Sequence, residues 1–78
     1  MIAKNLKHLR HLKKLTQEIL AEDLGVTRSR ISSYEEGRSA PTLDFLITVS
    51  DYFKIPIDTL LRKNLTLKES ASLINYEN

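Results

Sequence analysis

Apolar residues along this chain recur at helical rather than strand spacing. Leu6 and Leu9 lie one turn apart, with Ile2 a turn earlier and Leu12 a turn later. This predicts a first helix, over about 2–14, with Leu15 packing past its end. Thr16 is placed to cap a second helix running to about Asp23, with Leu20, Ala21 and Leu24 on its inner face. Gly25 follows, where a left-handed residue closes a helix. Thr27 then caps a third helix over 28–35 whose apolar positions are Ile31 and Tyr34, and Gly37 stops it. Thr42 caps a fourth helix with Asp44 in its first turn, favourably placed against the helix dipole. Leu43, Leu46, Val49 and Phe53 form its expected core stripe. After the break at Ile55-Pro56-Ile57, a last core helix carries Leu60 and Leu61. Thr66 and Glu69 have capping-box spacing, which predicts an extra C-terminal helix with Leu67, Ala71 and Ile74 on one face.

The expected class is therefore all-α, with a domain over 1–63 and an extension, linker or dimerisation segment over 64–78. A length of 78 residues with 41% apolar content allows one modest core, not two. The absence of cysteine excludes disulfides, thiolate metal sites and a thiol nucleophile. No apolar run nears the roughly 20 residues that span a bilayer. Lys4, Lys7, Arg10, Lys13 and Lys14 interrupt any export-signal pattern, so a cytoplasmic protein without membrane contact is expected.

Charge adds an asymmetry. Residues 1–38 hold eight Lys/Arg against five Asp/Glu (+3), whereas 39–78 hold four against five (−1), which together give the net +2. The basic half is the expected anion-facing half. Within it, only Gly25 and Val26 separate helices 2 and 3, a turn suited to a steep helix-turn-helix crossing rather than antiparallel packing. Ala21 is small enough for helix 3 to cross closely, and Val26 and Ile31 fill the angle. The opposite side of helix 3 presents Arg28, Ser29, Ser32 and Ser33. Arg28 and Arg30 occupy the first helical turn, where the dipole disfavours cations by a few tenths of a kcal/mol, about the cost that an approaching polyanion would offset.

These residues resemble the lambda-repressor-like (Cro/XRE-type) helix-turn-helix family. The resemblance covers about 4–61 and is carried by Leu6, Leu9, Arg10, Thr16-Gln17, Leu20-Ala21, Leu24-Gly25-Val26, Ile31-Ser32, Tyr34-Glu35, Gly37, Pro41, Leu43, Leu46 and Leu60-Leu61. It implies a five-helix bundle that binds palindromic double-stranded DNA as a homodimer, with helix 3 in the major groove. Gln17 is similar to a glutamine that contacts phosphate and braces helix 3. Thr27, Arg30 and Arg38 are expected at phosphates, and Arg28, Ser29, Ser32 and Ser33 at base edges. Arg10 and Glu35 match an ion pair that orients helix 3. Ile55, Pro56 and Ile57 offer apolar surface for dimerisation.

Four positions depart from the pattern. Ile19 stands where an acid is common, Lys54 where glycine is usual after helix 4, and Ser29 and Ser33 are shorter than the usual amides. Arg28 thus becomes the leading base reader, through bidentate contact to guanine. The expected function is a sequence-specific transcriptional regulator, a repressor by default. An antitoxin that also covers a toxin through Ile19 or the C-terminal segment stays open, as do a protein-interaction module and the DNA-binding part of a longer repressor. His8 and His11 lack a third ligand, so no metal or other cofactor is expected. No ordered triad or Gly-rich phosphate loop appears, so no enzyme is expected.

Overall fold

Three threonines start three of the helices. The Oγ1 atoms of Thr16, Thr27 and Thr42 each accept the backbone N–H three residues on, from Ile19, Arg30 and Phe45, at 3.1 Å. Each hydroxyl satisfies one of the amides that a helix N-terminus leaves without a partner. The computed structural model describes residues 1–67. They form α1 (Ile2–Leu12), α2 (Gln17–Leu24), α3 (Arg28–Glu35), α4 (Leu43–Phe53) and α5 (Ile57–Arg62), with no strand among the described residues. The all-α expectation holds. From residue 68 onward the extra helix expected after a Thr66 cap lies outside the described residues; of its expected apolar face only Leu67 is described, and it is exposed.

Glycine serves where a left-handed residue is needed. Gly25 closes α2 at φ 72°, and Gly37 turns the chain after α3 at φ 71°. Lys54 does the same work after α4 without being glycine, at φ 59° and ψ 43°. Its corner is held by the Ser50 hydroxyl, which donates to the Ile55 carbonyl at 2.6 Å. The first helix ends earlier than its pattern predicts. Lys13 and Lys14 form the turn after Leu12, with Lys14 at φ 57°.

The core gathers Leu6, Leu9, Leu20, Ala21, Leu24, Ile31, Tyr34, Phe45, Val49, Phe53, Ile55, Leu60 and Leu65. Several expectations are corrected here. The buried stripe of α4 is Phe45, Val49 and Phe53, whereas Leu43 is 67% exposed. The Tyr34 ring packs on this face at a tilt of 55° to Phe45, with centroids 4.6 Å apart. Ile55, expected on a dimer surface, is 4% exposed and belongs to this chain's own core. Its carbonyl is tied to Ser50, which turns the side chain's segment in beneath α4. Leu12 and Leu61, read as core, are exposed.

One buried polar residue closes the bundle. The Asn5 side-chain amide donates to the Leu60 and Lys63 carbonyls, both at 2.7 Å, and its oxygen accepts from the Leu65 N–H at 2.9 Å. Asn5 is thus a cap contributed by α1 to the C-terminal end of α5, whose last carbonyls lack helical partners. Leu65, in the segment expected to be an extension, packs into the core at 1% exposure.

A second clip joins α4, α2 and the turn after α1. The Tyr52 hydroxyl of α4 donates to Asp23 of α2 at 2.7 Å, and the Lys13 ammonium sits 4.7 Å from the Tyr52 ring centroid. The Asp23 hydrogen bond, then burial, then the Asp23 charge raise the phenol's pKa above 10.0. A raised value favours the neutral phenol, so its contribution is complete below pH 10 and is lost as pH rises through the folded value. Tyr52→Phe keeps the ring under Lys13 and is expected to cost about 1 kcal/mol at neutral pH. Its melting midpoint should fall less than that of the native chain when the pH is raised past 10, as read by circular dichroism.

Candidate nucleic-acid interface

The approach of α3 to α2 follows from the local sequence. The Val26 N–H bonds the Ala21 carbonyl at 3.0 Å as the chain leaves α2. Ala21, 3% exposed, lets α3 lie close. Ile31 and Tyr34 face the core, which leaves Arg28, Ser29 and Arg30 exposed at the N-terminal end of α3. Among the described residues neither guanidinium has an ion-pair or hydrogen-bond partner. Two free cations therefore crowd a helix end that already carries positive partial charge.

The far end of α3 is fixed by a buried ion pair. Arg10 Nε donates to Glu35 Oε2 at 2.7 Å and Nη2 to Oε1 at 3.0 Å, a two-pronged contact. The two side chains are 10% and 1% exposed. Arg10 Nη1 also donates to the Leu15 carbonyl at 2.8 Å, and Gln17 Nε2 donates to Glu35 Oε1 at 3.1 Å. One carboxylate of α3 thus holds the C-terminal half of α1 and the first residue of α2. Each polar atom of the Arg10 and Glu35 side chains has a partner, and the cost of burying the two charges offsets much of what the pair adds to stability.

Two grooves flank α3. One, between the starts of α2 and α3, is lined by Arg10, Thr16, Gln17, Glu18 and Arg28. The other lies between α3 and the α3–α4 loop and is lined by Thr27, Ser29, Arg30, Ser33, Ser39 and Thr42 among others. Gln17 and Arg28 therefore share one groove, and Thr27, Ser29 and Arg30 line the other. Ser32 and Ser33 are less available. The Ser33 and Ser39 hydroxyls are bonded at 2.9 Å, and the Ser32 hydroxyl donates to Glu36 at 2.7 Å while accepting from Arg38 at 3.2 Å. Arg38 is exposed and lies 3.4 Å from Glu36. The Ser32 hydrogen bond, and after it the Arg38 charge, lower the Glu36 carboxyl's pKa below 4.5. At the expected dimer surface, Pro56 is exposed and Ile57 half-buried.

Sequence reasoning missed Asn5, the Tyr52–Asp23 clip and the Ser32–Glu36–Arg38 cluster. Only the last left a signal, the i, i+4 spacing of Ser32 and Glu36 on one helix face. Among the described residues no group of three or more His, Cys, Asp or Glu could hold a metal, and no helix is long and apolar enough to cross a membrane.

Two packed helices joined by the short Gly25–Thr27 turn, the second with its cationic end outward, define a helix-turn-helix protein. The sequence matches the family described as Helix-turn-helix over residues 6–60, and the chain belongs to its lambda-repressor-like (Cro/XRE-type) branch. It is 40% identical over 74 residues to the HTH-type transcriptional activator BcrR of Enterococcus faecalis, covering 92% of this chain and 36% of that protein. It is 40% identical over 62 residues to YqaE, an uncharacterized HTH-type transcriptional regulator of Bacillus subtilis (strain 168), covering 80% and 53%. The chain thus spans about a third to a half of the length of these two relatives. Among solved structures, the SinR protein/SinI protein complex is similar at TM-score 0.76 and 32% identity over 99% of this chain and 78% of that one. A transcriptional regulator from Listeria innocua is similar at TM-score 0.73 and 27% identity, over 100% and 78%. The named relatives are regulators rather than enzymes.

Proposed function

We propose that this chain is the DNA-binding module of a transcriptional regulator that seats α3 in the major groove. The observation that carries the reading is the free, exposed Arg28 at the start of α3, on a helix whose other end is locked by Arg10, Glu35 and Gln17. A base-reading side chain needs that combination of an open tip and a fixed axis. Arg28, with Ser29 beside it, reads base edges. Ser32 and Ser33 do so only by giving up their internal hydrogen bonds. Gln17, Thr27, Arg30 and Arg38 meet phosphates and set the register.

The operator is two-fold symmetric and the protein binds it as a homodimer through Pro56, Ile57 and neighbouring surface. Bound over a promoter, such a dimer excludes polymerase, so repression is the default sense. BcrR is named an activator, and a reporter fused to the selected operator decides the sign here. The exposed Ile19 and Leu43 favour a protein partner as a second reading. A toxin bound at Ile19 would have to compete with no core contact.

Selection from a random DNA pool is expected to yield half-sites about one helical turn apart. If a dimer neutralises roughly eight phosphates, log K falls against log salt with a slope near −7. Arg28→Ala is expected to flatten the preference at one position per half-site by about 1–3 kcal/mol. Gln17→Ala should weaken binding to every sequence alike. A salt-independent affinity, or a pool that never converges, contradicts the reading.

A further inference from the structure

The groups around the end of α3 form a small closed circuit. Gly37, at φ 71°, turns the chain back, and the Arg38 N–H bonds the Ser33 carbonyl at 2.9 Å. The Arg38 side chain therefore lies over the last turn of α3. Its Nη2 donates to Ser32 Oγ at 3.2 Å, Ser32 donates to Glu36 Oε2 at 2.7 Å, and Nη2 lies 3.4 Å from the same Oε2.

The arrangement does little for the fold. Arg38 and Glu36 side chains are 59% and 57% exposed, and pairs that wet are screened by water. For binding it matters more. A phosphate that takes the Arg38 guanidinium must first displace a carboxylate already in place, and that carboxylate then faces the polyanion. Affinity gained by counterion release is reduced by the same competition on any duplex, because phosphate spacing carries no sequence.

We propose that Glu36 is a positioning residue that stands in for phosphate. It holds Arg38 in the free protein and so lowers affinity for all DNA equally, leaving base discrimination by Arg28 as a larger share of the total. This inference rests on the reading of Arg38 as a phosphate ligand. Ser32 belongs to the same device: its hydroxyl fixes the carboxylate rather than reading a base.

The test is a titration of the native chain, Glu36→Gln, Arg38→Ala and the double variant against the selected operator and an unrelated duplex, at several salt concentrations. Glu36→Gln should tighten binding to both duplexes by about threefold or more, with the salt slope steeper by about 0.9 per bound protomer, about 1.8 for the dimer, and the operator preference unchanged. In the Arg38→Ala background the same substitution should gain clearly less, because only the carboxylate's own repulsion is then relieved. A loss or no change on Glu36→Gln overturns the inference. So does a gain that survives intact without Arg38, since Glu36 would then repel phosphate directly. Equal melting midpoints for the four proteins show that the fold is not the cause. A native chain that binds no duplex refutes the functional reading itself, whereas native binding unaffected by Glu36→Gln refutes only this inference.

Discussion

Glu35→Leu is expected to lower the unfolding free energy by about 3–5 kcal/mol, because it strands a buried guanidinium. Arg10 would keep its bond to the Leu15 carbonyl at 2.8 Å but lose both prongs to Glu35, and Gln17 would lose its acceptor. For a domain of this size the melting midpoint should fall by about 15 °C or more. The double variant Arg10→Met with Glu35→Leu should recover most of that loss, since an apolar pair of similar volume needs no desolvation of charge. DNA affinity should not recover with it, because nothing then ties α3 to the first residue of α2. Urea unfolding and DNA titration on the same two variants separate the effects. A single variant within 1 kcal/mol of the native chain, on the scale expected for a buried pair, would show that the cluster is not the constraint described.

Asn5→Leu is expected to cost about 2–4 kcal/mol. The substitution leaves the Leu60 and Lys63 carbonyls and the Leu65 N–H without the partner that the Asn5 side chain supplies. Added volume compounds the loss, since Asn5 is 0% exposed. Hydrogen exchange at the Leu65 amide reads the same event locally, and its protection should collapse before that of the α2 and α3 amides. Unchanged protection at Leu65 would mean that the amide is held by something other than Asn5.

Much of the fold is legible because its punctuation is local. Each threonine cap needs only its own residue and the N–H three further on, and Gly25 acts on its own backbone. The pairing of Arg10 with Glu35 came from family resemblance; nothing in the spacing of two residues 25 apart would reveal it. The face of α4 was misread because the helix is apolar on more than one side. Leu43, Phe45, Leu46, Ile47 and Val49 support two overlapping stripes that share Val49 and Phe53, and which of them is buried depends on packing against other helices, the Tyr34 ring included. Ile55 reads as dimer surface because Ile55-Pro56-Ile57 offers more apolar surface than the core needs, and local composition does not report that the Ile55 carbonyl is bound by Ser50. Asn5 was illegible for a simpler reason. Its partners are main-chain groups, which every sequence possesses and none advertises.

The interface divides the same way. Arg28 and Arg30 stand out in the sequence because they oppose the helix dipole. That Ser32 and Ser33 are occupied is visible only after Gly37 has brought Arg38 and Ser39 back over α3.

The partners of Asn5 lie 55 to 60 residues away from it along the chain. A single side chain therefore fastens the first helix of the bundle to the far end of its last, and the bundle is topologically a ring rather than a string. Fraying of α1 or of the end of α5 has to open the same clasp. In folding, that clasp can shut only after everything between has collapsed, since joining ends so distant costs entropy that no local contact repays.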